Sequence, residues 1–234
     1  MGEPDKINHL LINGTLVFAV FLIILSCSHE NVRNSLAEQN LKGIVRSLTE
    51  TTYPVDDSGK ISDSNFIEQI YYQYNTRGNA VEELHYWPDS VSDLITFKYD
   101  LRGRKVEKRW KDSNNYIDEV ATFRYDKEGN NIERRRSETD GNLLRKAAYK
   151  YDELGNKIEE VNISFADSTH ERKTFKYDRG NNMVEEFSFI SDDSIVHQYR
   201  YRYLEFDKTG NWLKRLQTEK NIPQTLTVRE FEYY

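Results

Sequence analysis

Paired glutamates are the side chains of this sequence whose type and spacing come closest to a catalytic pattern. The pairs Glu82-Glu83, Glu159-Glu160 and Glu185-Glu186 supply the two carboxylates that glycoside hydrolysis requires. Neighbouring residues of a β-strand point to opposite faces of a sheet, so a sheet would divide each pair. Carboxylates from different parts of the chain can still meet in one groove, which leaves a carbohydrate-active hydrolase as an alternative function.

Five histidines are scattered along the chain without the spacing of a metal site: His9, His29, His85, His170 and His197. Gly-rich phosphate loops and nucleophile elbows are missing as well. The sequence therefore predicts no catalytic residue, no metal and no cofactor, and we expect the protein not to be an enzyme.

An aromatic anchor residue, followed in each case by Asp or Asn, recurs along the chain and sets its organisation. These anchors are spaced by 25, 26, 26, 26 and 29 residues, at Tyr74, Tyr99, Tyr125, Tyr151, Tyr177 and Phe206. Counting the anchor as zero, every copy has an aliphatic residue at +7, and five copies have Glu at +8 and an aromatic residue at −2. Such a period indicates tandem copies of one structural unit.

The turn of each unit follows from its residue types. In Tyr-Asp-x-x-Gly-Asn, the Asp side chain can accept a hydrogen bond from a backbone N–H two residues on, and Gly supplies the positive φ that ends a tight turn. In the fifth copy Asn181 takes the place of Gly, and Asn tolerates the same left-handed conformation. We therefore expect each unit to be a β-hairpin.

The hydrophobic pattern favours a four-residue Asp-x-x-Gly loop in each hairpin. This loop pairs the anchor with position +5 and the −2 aromatic residue with the +7 aliphatic residue, so the apolar positions share one face. Lys or Arg at −1 and Glu at +8 then share the opposite face, which suits water. A three-residue loop would instead place the +7 residue beside position −1.

A second turn signal between successive copies gives two strands per period and about fourteen strands in all. The sequence predicts an all-β fold, an antiparallel meander of tandem β-hairpin repeats in one domain at residues 41–234. In the longest interval Tyr199, Tyr201 and Tyr203 alternate before Leu204, which predicts a β-bulge. A sheet with one apolar face must curl, form two layers or dimerise, so we expect a curled or two-layered sheet.

The repeat resembles the YD-repeat family, also called the RHS-repeat family. The resemblance rests on the Tyr-Asp-x-x-Gly-Asn turns at 125–130 and 151–156 and on close variants at the other anchors, and it covers residues 66–234. With Leu41-Lys42-Gly43 before the first strand, the chain is similar to small RHS-repeat lipoproteins of Bacteroidetes-type bacteria. The resemblance implies, from the large members of the family, a β-sheet shell around a toxin or a surface scaffold. A remnant of a toxin-delivery shell is therefore a further alternative.

A single cysteine, Cys27, comes after a ten-residue apolar core at 16–25. That length is typical of a secretory signal and is short for a membrane-spanning helix. The residues Ile24-Leu25-Ser26-Cys27 resemble a bacterial lipobox, which implies a signal peptide at 1–26 and a palmitate-type lipid on Cys27. The alternative is an uncleaved anchor with a free thiol. We interpret residues 27–40, which begin with the lipidated cysteine, as a tether that holds the domain away from the membrane.

These features predict a lipoprotein of the bacterial cell envelope, at the outer membrane on its periplasmic side or at the cell surface. The membrane is one expected partner, and a carbohydrate or an envelope protein is another. The net charge of −6 argues against nucleic acid, and we interpret the basic runs 102–111 and 134–136 as charge on a solvated strand face.

Exposed aromatic rings are the most plausible functional feature, because they can stack on sugars or on a partner protein. Six candidates for such stacking are Trp87, Trp110, Tyr199, Tyr201, Tyr203 and Trp212. We expect the protein to act as a non-enzymatic binding or scaffolding surface.

Overall fold

The computed structural model describes residues 33–88, 90–111, 116–190 and 194–234. The predicted signal peptide and Cys27 lie outside these ranges. The described chain contains a short helix, α1 (Ser35–Glu38), and fourteen strands. The strands are β1 (Val45–Pro54), β2 (Glu68–Tyr74), β3 (Ala80–Trp87), β4 (Ser90–Tyr99), β5 (Lys105–Lys111), β6 (Ile117–Tyr125), β7 (Asn131–Glu138), β8 (Leu143–Tyr151), β9 (Lys157–Ser164), β10 (His170–Tyr177), β11 (Met183–Phe189), β12 (Ile195–Phe206), β13 (Trp212–Glu219) and β14 (Ile222–Tyr233).

The strands form an antiparallel sheet that closes into a barrel. Strands that are consecutive in the chain are paired, and the barrel closes where β1 pairs with β14, from Val45↔Tyr233 to Pro54↔Thr225. The predicted all-β meander of about fourteen strands is confirmed. The predicted curled or two-layered sheet is corrected to a closed barrel, because pairing β1 with β14 removes the two free edges that an open sheet would leave.

The turn chemistry predicted from the sequence is confirmed. In the second copy, Asp100 Oδ1 accepts a hydrogen bond from the N–H of Arg102 at 2.9 Å. Gly103 has a φ of +79°, and Asn181, which replaces Gly in the fifth copy, has a φ of +59°. Asn can adopt this left-handed conformation, so the fifth turn keeps the geometry of the others.

The hairpin loop is one residue shorter than the sequence predicts. In the second copy, the N–H of Gly103 donates to the carbonyl of Asp100 at 3.0 Å, and the N–H of Asp100 donates to the carbonyl of Arg104 at 2.9 Å. These two bonds define a three-residue loop with a type I turn followed by a residue with positive φ. The same pair of bonds recurs in the other five copies.

A β-bulge after each loop shifts the register by one residue, so that the residue at −1 lies opposite the residue at +8. Tyr99 pairs with Lys105 at +6, whereas Lys98 pairs with Glu107 at +8, so Val106 at +7 has no partner in the ladder. The predicted pairings of the anchor with +5 and of the −2 residue with +7 are therefore wrong, because a bulge adds one residue to one strand only. Val106 is 39% exposed and lies outside the core.

The outer face of the barrel carries the ion pairs predicted between positions −1 and +8. They are Lys98–Glu107 at 2.9 Å, Arg124–Glu133 at 3.1 Å, Lys150–Glu159 at 2.6 Å and Lys176–Glu185 at 2.8 Å. The Lys and Arg side chains are 60–71% exposed, although their Glu partners are only 9–21% exposed, so solvent screens these pairs and each contributes typically about 0–1 kcal/mol. They mark which face of the sheet points outward.

Tyrosine hydroxyls connect successive repeats. The hydroxyls of Tyr99, Tyr125, Tyr151 and Tyr177 donate to the backbone carbonyl at +6 of the preceding copy, at 2.7–2.8 Å. This bond explains why the anchor is Tyr rather than Phe in these four copies, since a Phe ring could fill the same space but could not bond to the neighbouring hairpin. In the first copy the hydroxyl of Tyr74 donates to Gln39 Oε1 of the plug at 2.9 Å instead.

In the last copy the hydroxyl comes from a different residue. The anchor Phe206 has none, and Tyr203 donates to the carbonyl of Met183 at 2.8 Å instead. Tyr203 lies 26 residues after Tyr177, so the period of the connecting tyrosine is kept. The β-bulge predicted near Leu204 is confirmed, since the register of β12 shifts between Tyr203 and Glu205.

Residues 33–42, which we call the plug, lie across the end of the barrel that carries the Asp-x-x-Gly turns. Asn34 caps α1 by accepting a hydrogen bond from the N–H of Ala37 at 2.9 Å. Leu36 is 6% exposed and is buried in the core with Leu41, Val45, Leu48, Tyr74 and Ala80. The barrel core is therefore concentrated beneath the plug.

Polar contacts connect the plug to hairpins on opposite sides of the barrel. The N–H of Leu36 donates to Gly78 in the first turn at 3.1 Å. Asn40 Nδ2 donates to the carbonyl of Asn181 in the fifth turn at 3.0 Å, and the N–H of Lys42 donates to Asn211 in the sixth at 2.8 Å. The part of the predicted tether that the structure describes, residues 33–40, is thus packed against the barrel and is not a free spacer.

Candidate functional site

Charged side chains occupy a ring inside the barrel. Because of the bulge, the −2 aromatic residue pairs with position +9, as in Phe97↔Lys108 and Phe123↔Arg134. Position +9 is charged in all six copies: Glu83, Lys108, Arg134, Glu160, Glu186 and Arg215. This ring was not predicted, although position +9 also falls on the inner face of the predicted register and the charge that recurs there was the signal that could have revealed it.

The basic run at 134–136 is divided between the two faces of β7. Arg135 Nε donates to Glu133 at 2.9 Å on the outer face. Arg136 points inward, where it bonds to Glu119 and its guanidinium carbon lies 4.3 Å from the centroid of the Trp110 ring. The interpretation of this run as charge on a solvated face is therefore correct for Arg135 only.

A cavity of about 500 Å³ lies inside the barrel beneath the plug. Its roof includes Arg33, Ala37 and Glu38, and its walls come from β5 to β10 and from the Asp-x-x-Gly turns beside these strands. The volume is within the range of small-molecule sites in proteins, which is roughly 300–1,000 Å³. Five cationic side chains and one carboxylate line this cavity: Arg33, Lys105, Lys108, Arg134, Lys157 and Glu38.

Most of these cations are neutralised by carboxylates. Lys105 Nζ lies 3.1 Å from Glu38 of the plug, and Lys108 Nζ lies 3.2 Å from Glu83. Lys157 is paired with Glu160. The guanidinium of Arg134 differs from these lysines, because no described carboxylate lies within ion-pair distance of it, although its charge helps to lower the pKa of Glu160.

Aromatic rings complete the wall of the cavity. Phe123, Tyr149, Tyr151 and Tyr177 line it. Burial raises the pKa of Tyr149 and of Tyr177 to about 12 each, so both stay protonated at neutral pH. Asn131 also lines the cavity, and its Oδ1 atom is buried without a hydrogen-bond donor among the described residues.

None of the six aromatic residues singled out in the sequence lines this cavity. Trp87, at the end of β3, is 41% exposed. Trp110 points inward and is covered by Lys108 and Arg136, whose charged groups lie 4.9 and 4.3 Å from the ring centroid.

The other four candidates lie on β12 and β13, with their rings on the inner face of the barrel. The ring of Tyr199 stacks on His197 at 5.5 Å, and the hydroxyl of Tyr201 donates to Glu186 at 3.0 Å. Tyr203 forms the connecting bond to Met183 in the preceding copy. Trp212 is buried, with the guanidinium carbon of Arg229 3.5 Å from its ring centroid. These rings are engaged by residues of the same chain.

His85 forms the centre of a second charged cluster inside the barrel. Its Nδ1 lies 3.3 Å from Glu68 on β2, and its Nε2 lies 2.6 Å from Glu83 on β3. Burial disfavours the imidazolium, but the hydrogen bonds to Glu68 and Glu83 outweigh this and raise the pKa of His85 to about 9. Burial also opposes the charge of Glu83, and bonds from His85 and Lys108 nevertheless lower its pKa.

We expect the stability of the protein to fall between about pH 6.5 and pH 9 because of His85. A raised pKa in the folded state means that the contribution of His85 is complete below its ordinary pKa of about 6.5 and is lost as the pH rises through 9. The expected loss is on the order of 1–3 kcal/mol. Urea denaturation across this pH range measures it.

The His85→Gln variant is the control for this prediction. It removes the titrating group, so its free energy of unfolding should change much less over the same pH range. An equal decrease in the wild type and in His85→Gln would contradict the assignment.

In the part of the chain that the structure describes, no group of three or more His, Cys, Asp or Glu side chains could hold a metal ion. Within the same ranges, no helix has the length and the apolar character needed to cross a membrane.

Comparison with protein-family models found no match, and comparison with curated proteins found none either. A similar solved structure is the porin-like protein from Bacteroides uniformis ATCC 8492, with 10% identity and a TM-score of 0.46 over 80% of this chain and 98% of that chain. The assignment of the fold as an all-β barrel of tandem hairpins therefore rests on the structure of this chain alone.

Two further similar structures contain TcdB2-TccC3. The complex TcdB2-TccC3-Cdc42 has 18% identity and a TM-score of 0.33 over 68% of this chain and 8% of that chain. TcdB2-TccC3 without its hypervariable C-terminal region has 16% identity and a TM-score of 0.31 over 68% of this chain and 9% of that chain. This chain therefore spans less than a tenth of their length.

Proposed function

We propose that this protein is a non-enzymatic, lipid-anchored protein of the bacterial cell envelope that binds a small ligand inside its barrel. The observation that carries the proposal is the cavity of about 500 Å³ beneath the plug, walled by successive repeats. We also infer that the repeats are of the YD type, from the Tyr-Asp-x-x-Gly-Asn turns at 125–130 and 151–156.

The carboxyl groups support binding rather than hydrolysis. A glycosidase needs a general acid whose pKa is raised. Next to the cavity, burial opposes the charge of Glu160, but Lys157 outweighs this and lowers its pKa. The pKa of Glu83 is lowered as well. Neither carboxyl is therefore suited to donate a proton at neutral pH.

Lipid attachment is tested by metabolic labelling with a palmitate analogue. Cys27 is the single cysteine of the chain, so we expect label on the wild type and none on Cys27→Ser. A wild type that remains unlabelled while a known lipoprotein in the same cells is labelled would contradict the anchor.

Ligand binding is tested by native mass spectrometry of the full chain extracted from the cells that make it. Asn131 occupies position +6, where the sixth copy carries Trp212, so Asn131→Trp fills the cavity with a side chain that the repeat already accommodates. We expect a bound small molecule in the wild type and not in Asn131→Trp. The same spectrum for both proteins would contradict binding in the cavity.

A further inference from the structure

We propose that the cavity selects an anionic sugar, whose carboxylate or phosphate group binds to Arg134. This inference rests on the proposed binding function and adds the chemical class of the ligand. It is carried by the guanidinium of Arg134, from which no described side chain accepts a hydrogen bond, by a carboxylate that the plug already places in the cavity, and by the aromatic and amide groups of the wall.

Arg134 provides the positive charge that an anionic ligand would neutralise. It projects into the barrel beside Phe123 on β6 and Ala147 on β8. Arg134 itself lines the cavity. Its charge helps to lower the pKa of Glu160, but no described carboxylate accepts a hydrogen bond from the guanidinium. An anionic ligand would supply such a direct partner in the bidentate geometry that guanidinium groups favour.

Glu38 shows that the cavity accommodates a carboxylate. This side chain enters the cavity from the plug, and its carboxylate lies 3.1 Å from Lys105 Nζ. Its charge also contributes to the raised pKa of Tyr151, after the larger effect of burial. The cavity therefore already holds one carboxylate, and a bound anion would compete with Glu38 for the same cationic wall.

The rest of the wall fits a sugar ring. Phe123 and Tyr149 offer aromatic surface, on which the apolar face of a sugar ring can pack. Asn131 Oδ1 is buried and has no donor among the described residues, so a ligand hydroxyl can provide the missing hydrogen bond. An anion without hydroxyl groups would leave this acceptor unsatisfied.

Titration of the full chain with three related probes tests the inference: galactose, galacturonate and galactose 6-phosphate. They share one ring and differ in charge, so they separate a neutral sugar from a sugar carboxylate and a sugar phosphate. We expect at least one of the two anions to bind about tenfold or more tightly than galactose. Arg134→Gln should remove most of this preference, so that its affinities for galactose and for the anions become similar.

Arg135→Gln is the matched control, because Arg135 is the next residue and points to the outer face. It should change the affinity for each probe by less than about twofold. Glu38→Gln should strengthen binding of the anion several-fold, because it removes the competing carboxylate. Equal affinity for all three probes, binding of none of them, or equal effects of Arg134→Gln and Arg135→Gln would overturn the inference. If a neutral ligand binds and Asn131→Trp displaces it, the ligand is not anionic and this inference fails. The proposed function, binding of a small ligand in the cavity, then still stands.

Discussion

Replacing Glu50 by alanine is expected to lower the free energy of unfolding by about 3–5 kcal/mol. Glu50 on β1 lies opposite Arg229 on β14, and Arg229 Nε donates to Glu50 Oε1 at 2.6 Å. The side chains are 18% and 8% exposed, so Glu50→Ala would leave a buried guanidinium without its partner. Burial already lowers the pKa of Arg229, which is a sign of the cost of that charge. Urea denaturation of the wild type and of the variant measures the effect.

The same closing pair of strands provides a matched control. Arg46 and Glu232 form an ion pair at 2.8 Å across β1 and β14, but their side chains are 52% and 59% exposed. Arg46→Ala should therefore cost less than about 1 kcal/mol. The double variant Glu50→Leu, Arg229→Met should recover much of the loss, because it removes both charges together. Equal effects of Glu50→Ala and Arg46→Ala would contradict a special role for the buried pair in closing the barrel.

Replacing Leu36 by alanine is expected to destabilise the docking of the plug by about 2–5 kcal/mol. Leu36 is buried against Leu48, Tyr74 and Ala80, and its N–H donates to Gly78. Shortening this side chain leaves a cavity between α1 and the barrel. Limited proteolysis of the full chain should then cleave within residues 33–42 at a concentration of protease that leaves the wild type intact.

Ala37→Ser is the control for the plug, because Ala37 is exposed and does not belong to the buried cluster around Leu36. It should leave the rate of cleavage close to that of the wild type. Cleavage of the wild type and of Leu36→Ala at the same rate would mean that Leu36 does not hold the plug in place.

The sequence was sufficient for the local structure of the repeat. The Asp and Gly positions of each turn, the left-handed Asn181 and the outer ion pairs such as Lys98–Glu107 are consequences of residue type and spacing. These features depend on a few neighbouring residues or on two adjacent strands. They repeat in each copy, so each copy tests the same prediction.

The bulge at +7 was beyond the sequence pattern. A four-residue loop and a three-residue loop with a bulge both place Lys at −1 on the face of Glu at +8 in the final hairpin. They differ in the fate of Val106 at +7 and Lys105 at +6: the bulge leaves Val106 partly exposed and pairs Lys105 with the inward-pointing Tyr99. Both alternatives place +9 on the inner face, but only the apolar positions of that face were used in the prediction. The inward ring of charges at +9 was therefore missed, and with it Arg134.

Closure and the plug depend on contacts between distant parts of the chain. The pairing of Glu50 with Arg229 joins residues 179 apart, and the bond from Lys42 to Asn211 joins residues 169 apart. Whether a sheet closes depends on its accumulated twist and strand tilt, which no single repeat displays. The polar stretch at 33–40 likewise gains its structure only from the turns that it contacts.

Hydrogen exchange of the wild type, measured residue by residue, tests most directly whether residues 33–42 close the barrel over the cavity. The N–H groups of Leu36 and Lys42 donate to Gly78 and Asn211 of the barrel at 3.1 and 2.8 Å. We predict that these two amides exchange many-fold more slowly than in a free peptide, because they open only when the plug leaves the barrel. Exchange of both at the rate of an unstructured peptide, with the barrel strands still protected, would contradict the account.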